Sequence, residues 1–383
     1  MNRKFWNLAI FQHGQSSRYL STFKSENLRY KPSKIRQPKA KPNTQNLPLG
    51  TPFTDHMLRI KWTESKGWQA PIICQLQNLE MYQAVKASHY SQELFESMKA
   101  YRGVDNNVRL FRPMLNMTRM AMSARRSCLP EFEPAELLSC IAQLVHMDQE
   151  WVPHDSSLYI RSTLVGWDSA SQAELFVLMS RVKSSSVKPI NLLAEPQHLK
   201  VWPGGSGFNP EEPRMAFQQK CQQAISLYGP DEEISSSSMN VFALFKHPDG
   251  RTELVTPSLY SGLIWPGVTR RSVIELTRNW NKFEVNERRL TIKEVLNSAE
   301  NGTLIEMFGT GTVATVSPIA NIFYNGKMRA IPVPDASLAR KLSTALSDIY
   351  YGKVNPHPWT IDINELQPSA YHESNICNVM SGA

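Results

Sequence analysis

The chain has 383 residues, 41% hydrophobic and 20% charged, which is enough for two ordinary globular domains and excludes disorder as the default. No apolar run reaches the roughly 20 residues a membrane helix needs, so no membrane span is expected. The formal net charge of +8 is polarised: residues 1–50 hold ten Lys/Arg against Glu26 alone, leaving the remainder near −1, which argues against a nucleic-acid surface.

The first 24 residues mix Arg3, Lys4 and Arg18 with Ser, Phe5, Trp6, Leu8, Ile10 and Phe11 and carry no acid. That is the composition of a mitochondrial transit peptide, and the basic, Pro-containing stretch behind it suits a spacer. Residues 1–45 are therefore assigned to a leader and linker, and the mature chain to the mitochondrial matrix. Residues 46–182 form a small α/β unit. Within it, 134–150 place Leu137, Leu138, Ile141, Leu144 and Val145 on one helical stripe behind Pro134, and 158–166 and 174–182 are aliphatic runs of strand length. The polar stretch 183–189 separates this unit from a second, 190–365. There the pattern predicts strands at 190–193 and 240–246, an amphipathic helix over 214–227, a helix after Pro266 and another over 336–350. Residues 366–383 have no period and are taken as a tail. The whole is an α+β arrangement in two domains. Cys74, Cys128, Cys140, Cys221 and Cys377 are odd in number and lack both CxxC and Cys/His ligand spacing, so neither a disulfide framework nor a metal site is expected.

Two stretches suit an anion. At 264–271 (IWPGVTRR) an apolar run meets Pro-Gly and a helix start, whose N–H groups and dipole favour phosphate, although an ordinary capped helix start is the commoner meaning of such a pattern. At 308–312 (FGTGT) small residues permit close backbone approach, although a lone GxG is weak. Neither matches the dinucleotide fingerprint or the P-loop.

Five segments in order, 51–62 (TPFTDHMLRIKW), 88–120, 157–161 (SLYIR), 265–273 (WPGVTRRSV) and 306–312 (EMFGTGT), resemble the signature segments of the branched-chain aminotransferases, and the similarity covers about residues 48–365. The resemblance implies a fold-type IV (class IV aminotransferase-like) pyridoxal-phosphate (PLP) protein with the cofactor between two domains, usually a homodimer. Its reaction moves an amino group between leucine, isoleucine or valine and 2-oxoglutarate. It implies cofactor contacts at Arg119, Val268, Thr269 and Thr312, and substrate contacts at Tyr90, Phe95, Tyr159 and Arg161. These give aromatic walls for an aliphatic side chain and a cation for a carboxylate.

Two departures bear on activity. The resemblance implies a lysine that holds the cofactor and shuttles a proton, placed after a glycine-rich turn. Here Trp202-Pro203-Gly204-Gly205-Ser206-Gly207 is followed by Phe208-Asn209-Pro210-Glu211-Glu212-Pro213, with Pro210 near the lysine position and no lysine between Lys200 and Lys220. It also implies a glutamate against the pyridine nitrogen, where this chain has Ser235. The expectation is a homologue with impaired or absent transamination that would hold PLP non-covalently. It would form a homodimer, or a heterodimer with an active paralogue, and still admit a small amino acid or 2-oxo acid. The alternative is a working mitochondrial branched-chain transaminase using a relocated lysine.

Overall fold

The computed structural model describes residues 22–31, 52–78, 92–154, 156–167, 171–182, 187–195, 211–235, 239–354 and 356–366. In chain order the first unit contains β1 (Arg29–Lys31), β2 (His56–Thr63), β3 (Gly67–Trp68), β4 (Ile72–Gln75), β5 (Gln92–Arg102), β6 (Val108–Phe111), α1 (Pro113–Arg126), α2 (Pro134–Met147), β7 (Ser157–Trp167) and β8 (Gln172–Val182). The strands form one sheet in the order β1-β4-β2-β8-β7-β5-β6, with β3 paired to β2. The hairpin β7–β8 is in register from Ser157 opposite Val182 to Trp167 opposite Gln172.

The stripe foreseen at 134–150 is the buried face of α2. Leu137, Leu138, Ile141, Leu144 and Val145 are all buried against the sheet residues Leu58, Ile60, Ile160 and Leu164. Each such side chain contributes about 1.5–3 kcal/mol relative to exposure. Pro134 and Pro113 open their helices at a position where the missing N–H costs nothing.

The second unit contains β9 (Ile190–Glu195), α3 (Glu211–Gln218), β10 (Gln223–Tyr228), β11 (Glu233–Ser235), β12 (Asn240–Lys246), β13 (Thr252–Thr256), α4 (Val268–Trp280), β14 (Glu284–Glu287), α5 (Ile292–Glu300), β15 (Leu304–Thr310), β16 (Val316–Tyr324), β17 (Lys327–Ala330) and α6 (Leu338–Tyr350). Its sheet order is β11-β10-β9-β16-β15-β12-β13-β14, with β17 on β16.

Three expectations are corrected. The helix expected over 214–227 stops at Gln218. Lys220 turns the chain in the left-handed region at φ 57, and β10 then pairs parallel with β9. Ala224, Ile225, Ser226 and Leu227 are all buried, and a strand covered on both faces reads as a continuous apolar run that periodicity cannot tell from a helix. Part of the expected leader and linker belongs to the first unit: β1 pairs parallel with β4, Phe23 is buried between Trp68 and Phe132, and the Ser25 N–H donates to Glu136 at 2.7 Å. The last strand, β18 (Thr360–Asp362), pairs antiparallel with β6, and Ile363 joins the first core, so residues 360–366 return to the first unit.

A third core joins the two sheets. Tyr101 and Phe111, from β5 and β6, pack on Tyr350 at the end of α6, with Tyr101 and Tyr350 stacked at 4.6 Å. Phe242 and Phe308 stack at 5.2 Å in the same cluster. This shared core brings the ends of β5, α4 and β15 to one place.

Candidate functional site

Alternation along β5 puts Phe95, Ser97, Lys99 and Tyr101 on one face. The register sets Thr163 opposite Phe95, Arg161 opposite Ser97 and Tyr159 opposite Lys99, so these six residues and Tyr101 share a surface. The Tyr159 hydroxyl donates to Ser97 Oγ at 2.6 Å, and the Arg161 guanidinium stands 4.2 Å from the centre of the Phe95 ring. Three of the four expected substrate contacts are therefore gathered on one sheet face; Tyr90 lies outside the described residues.

The opposing wall comes from the second unit. Helix α4 begins at Val268 behind Gly267, and no side chain caps it. Gly267 has no substitute there, because a Cβ would lie 2.2 Å from Asn240 Oδ1, whose amide donates to the Trp265 carbonyl at 2.8 Å. At Gly309, in the glycine-rich strand end, a Cβ would meet Met239 Sδ, the far end of a flexible side chain. Thr269 Oγ1 lies 3.4 Å from the Gly311 carbonyl, which closes the cup between helix start and turn. Val268, Thr269, Gly311, Thr312 and Thr315 face Ser97, Lys99 and Asn116 across a cavity of about 30 Å³ floored by Tyr101, Phe111 and Tyr350. That volume suits water rather than a pyridine ring.

Arg119, expected to contact a phosphate, reaches the chain just ahead of the α4 start. Its fork is bidentate to buried Glu96, with Nε and Nη2 each at 2.7 Å, and Nη1 donates to the Pro266 carbonyl at 2.9 Å. Glu96 also accepts from Asn116 and from the Ser97 N–H, so its charge is fully bonded. Arg119 thus ties α1 to the chain just ahead of α4.

Sequence reasoning passed over Lys99. Its side chain is buried, and Nζ donates to the Val313 carbonyl at 2.8 Å. Burial alone, with no carboxylate to offset it, lowers its pKa from 10.5 to about 8. The signal available was a cation at an inward position of an alternating strand (Ser97, Lys99, Tyr101).

The positions implied for the lost groups divide. Pro210 and Lys200 lie outside the described residues, and Lys220 is exposed beyond the end of α3. Ser235 is buried in β11, and its hydroxyl donates to the Ser226 carbonyl at 3.0 Å. Glu233, two residues earlier, is paired with Arg289 at 3.2 Å.

The chemistry of these residues suits the phosphate end of PLP, while the cavity they line is water-sized. An uncapped helix start, a threonine hydroxyl, a glycine turn and a buried amine suit a phosphate, and PLP when bound supplies the electron sink for chemistry at an amino acid's Cα. At the Ser235 position there is a hydroxyl already donated to a backbone carbonyl rather than a carboxylate.

The class IV amino-transferase family model matches residues 93–322. The cytosolic branched-chain-amino-acid aminotransferase of Mus musculus is 41% identical over 376 residues, covering 91% of this chain and 95% of the relative. The mitochondrial one of Rattus norvegicus is 41% identical over 367 residues, covering 90% and 93%. Among solved structures, the branched-chain amino acid aminotransferase of Thermobaculum terrenum in its PLP form superposes with a TM-score of 0.56 at 19% identity, covering 79% of this chain and 98% of that one. By sequence and by fold, this chain belongs to the branched-chain aminotransferase family.

Proposed function

We propose that this chain is a branched-chain aminotransferase homologue that binds PLP and a branched-chain amino acid or its 2-oxo acid, and transaminates poorly or not at all. One observation carries the reading: Ser235, where the family resemblance implies a carboxylate, is a buried hydroxyl spent on the Ser226 carbonyl. A neutral donor already in use cannot hold a pyridine nitrogen protonated. The absence of any lysine from 201 to 219 adds to it, because the general base for proton movement at Cα is missing from its usual place.

The chain's own residues retain the binding half of the chemistry. Arg161 offers a cation for a carboxylate beside Phe95, an apolar wall for an aliphatic side chain. Tyr159 and Ser97 fix that wall through their hydrogen bond. Thr269, Gly311 and Thr312 cradle a phosphate with backbone and hydroxyl groups.

Mitochondrial residence and assembly as a homodimer, or as a heterodimer with an active paralogue, are part of the proposal. The first rests on the acid-poor leader and on the mitochondrial names of some relatives, the second on the resemblance to a usually homodimeric family. Purified protein with PLP, leucine, isoleucine or valine and 2-oxoglutarate should turn over at least ~100-fold below the murine cytosolic relative, as loss of a general base demands. A rate within tenfold of that relative overturns the reading. The second reading, a working transaminase, is favoured by the buried amine of Lys99.

A further inference from the structure

Two arginines of the first unit brace the start of α4. Arg119 donates to the Pro266 carbonyl at 2.9 Å, just ahead of Gly267. Arg112, at the N-cap of α1, reaches into α4 itself: Nη1 donates to Ser272 Oγ at 3.0 Å, and Nη2 lies 3.0 and 2.8 Å from the two carboxylate oxygens of Glu275. The hydroxyl of the buried Ser272 donates in turn to the Val268 carbonyl at 2.9 Å. A chain of hydrogen bonds therefore runs from Arg112 to the residue that opens α4 and lines the cavity. Arg112 is itself held firmly. Its guanidinium carbon stands 4.4 Å from the centre of the Trp359 ring, and its backbone N–H donates to the Trp359 carbonyl at 2.6 Å. Its backbone lies in the left-handed region at φ 45, ψ 43, which a residue with a Cβ rarely adopts. Capping does not explain an arginine there, because a guanidinium has no acceptor to offer the first-turn N–H groups of α1. Its side chain is spent across the seam, on α4.

We propose that Arg112 is a positioning residue for the anion seat at the start of α4: acting through Ser272, it holds the Val268–Thr269 turn in place without touching the ligand. The proposal rests on the reading above, in which that turn takes the phosphate end of a cofactor. First-turn N–H groups have no acceptor inside their own helix, so their aim is set by whatever holds the turn. Ahead of the turn that hold is Arg119 on the Pro266 carbonyl; behind it, Arg112 on Ser272 and Glu275. Both arginines belong to the first unit, so the seat in the second unit keeps a fixed relation to the sheet face that carries Arg161 and Phe95. The hold is geometric and not merely electrostatic. A planar fork meets Ser272 and Glu275 at once, which the single ammonium of a lysine does not reproduce.

The test uses the full chain carrying Arg112→Met, Arg112→Lys or Ser272→Ala. Affinity is measured for pyridoxal phosphate and for pyridoxal, which lacks the phosphate, and amide hydrogen exchange is followed by mass spectrometry. Arg112→Met and Arg112→Lys should each weaken pyridoxal phosphate binding by about tenfold, the scale of one charge-assisted hydrogen bond, and leave pyridoxal binding unchanged. Ser272→Ala cuts the relay and keeps the arginine, and should act in the same direction. The amides of Arg271, Ser272 and Val273 bond back to the first turn, and should exchange about tenfold faster in the Arg112 variants while the β7–β8 hairpin is unchanged. Full pyridoxal phosphate binding in Arg112→Lys would show that charge alone is required, and overturns the proposal. So does exchange that rises evenly over the chain with both affinities equally reduced, the mark of a merely structural residue. If the Arg112 variants do not fold, Ser272→Ala decides. An unaltered chain that binds no pyridoxal phosphate removes the reading above together with this one; binding indifferent to all three substitutions removes this inference alone.

Discussion

Lys99 Nζ donates to the carbonyl of Val313 at 2.8 Å, a bond that crosses from the sheet of the first unit to the glycine-rich turn of the second. It satisfies only one of three ammonium donors, and no acid shares the burial. The ionised form is therefore held at a cost that the fold meets elsewhere.

That cost is measurable by pH. With the unfolded pKa near 10.5 and the folded one at about 8, the unfolded chain binds the extra proton between those values, so stability rises as pH climbs from 8 to 10.5 and the penalty is fully present below 8. The shift corresponds to about 3 kcal/mol. Lys99→Met should be more stable than the natural chain in urea at pH 7, and the gap should close toward pH 10.5. A gap independent of pH would mean the amine is better solvated than its burial indicates.

The Glu96–Arg119 pair is a structural joint between α1, β5 and the approach to α4. Glu96→Ala leaves a guanidinium with most of its partners gone, and removing one member of a buried pair costs about 3–5 kcal/mol. A lower urea midpoint and faster protease cleavage are expected. The variant also frees the Arg119 fork, so weaker PLP retention would show that this arginine acts by positioning the α4 start.

Restoring single residues should not restore an enzyme. Ser235→Glu introduces a carboxylate where the hydroxyl now meets the Ser226 carbonyl, two acceptors face to face in a buried strand, at a cost of about 2 kcal/mol or more. Pro210→Lys, alone or with Ser235→Glu, is expected to stay far below a family enzyme on leucine and 2-oxoglutarate, because a misplacement of ~1 Å can cost ~100-fold. Grafting the whole lysine loop together with Ser235→Glu should give measurable turnover. Vigorous activity from Pro210→Lys alone would show that the glutamate matters little.

Deletions at the N-terminus should separate targeting from stability. Removing residues 1–21 should abolish mitochondrial import yet leave the described fold intact. Removing 1–45 also takes away β1 and Phe23, which is buried between Trp68 and Phe132, and should destabilise the protein by about 3 kcal/mol or more. Cell fractionation and urea unfolding of the two truncations decide both points. An equally stable 1–45 deletion would make the docked segment dispensable.

The sequence by itself determined the family, the long amphipathic helix at 134–150, the strands of the β7–β8 hairpin and the helix start behind Pro266-Gly267, because each is written in local periodicity or in an ordered set of motifs. It also showed that no lysine lies between Lys200 and Lys220 and that a serine stands at 235, since the identity of a residue needs no coordinates. Tertiary structure alone decided the rest. The run at 223–228 became a strand because β9 offered a pairing edge, the core of the second unit covered Ile225 and Leu227, and Leu193, Ala216 and Cys221 covered Ala224. Phe23 and β18 joined the first unit through contacts with residues far away in sequence. Arg119 went to Glu96, and Lys99, one charge in an alternating strand, became a buried amine only when the second unit closed over it. Burial and partner choice are properties of the assembled surface, which the one-dimensional pattern does not contain.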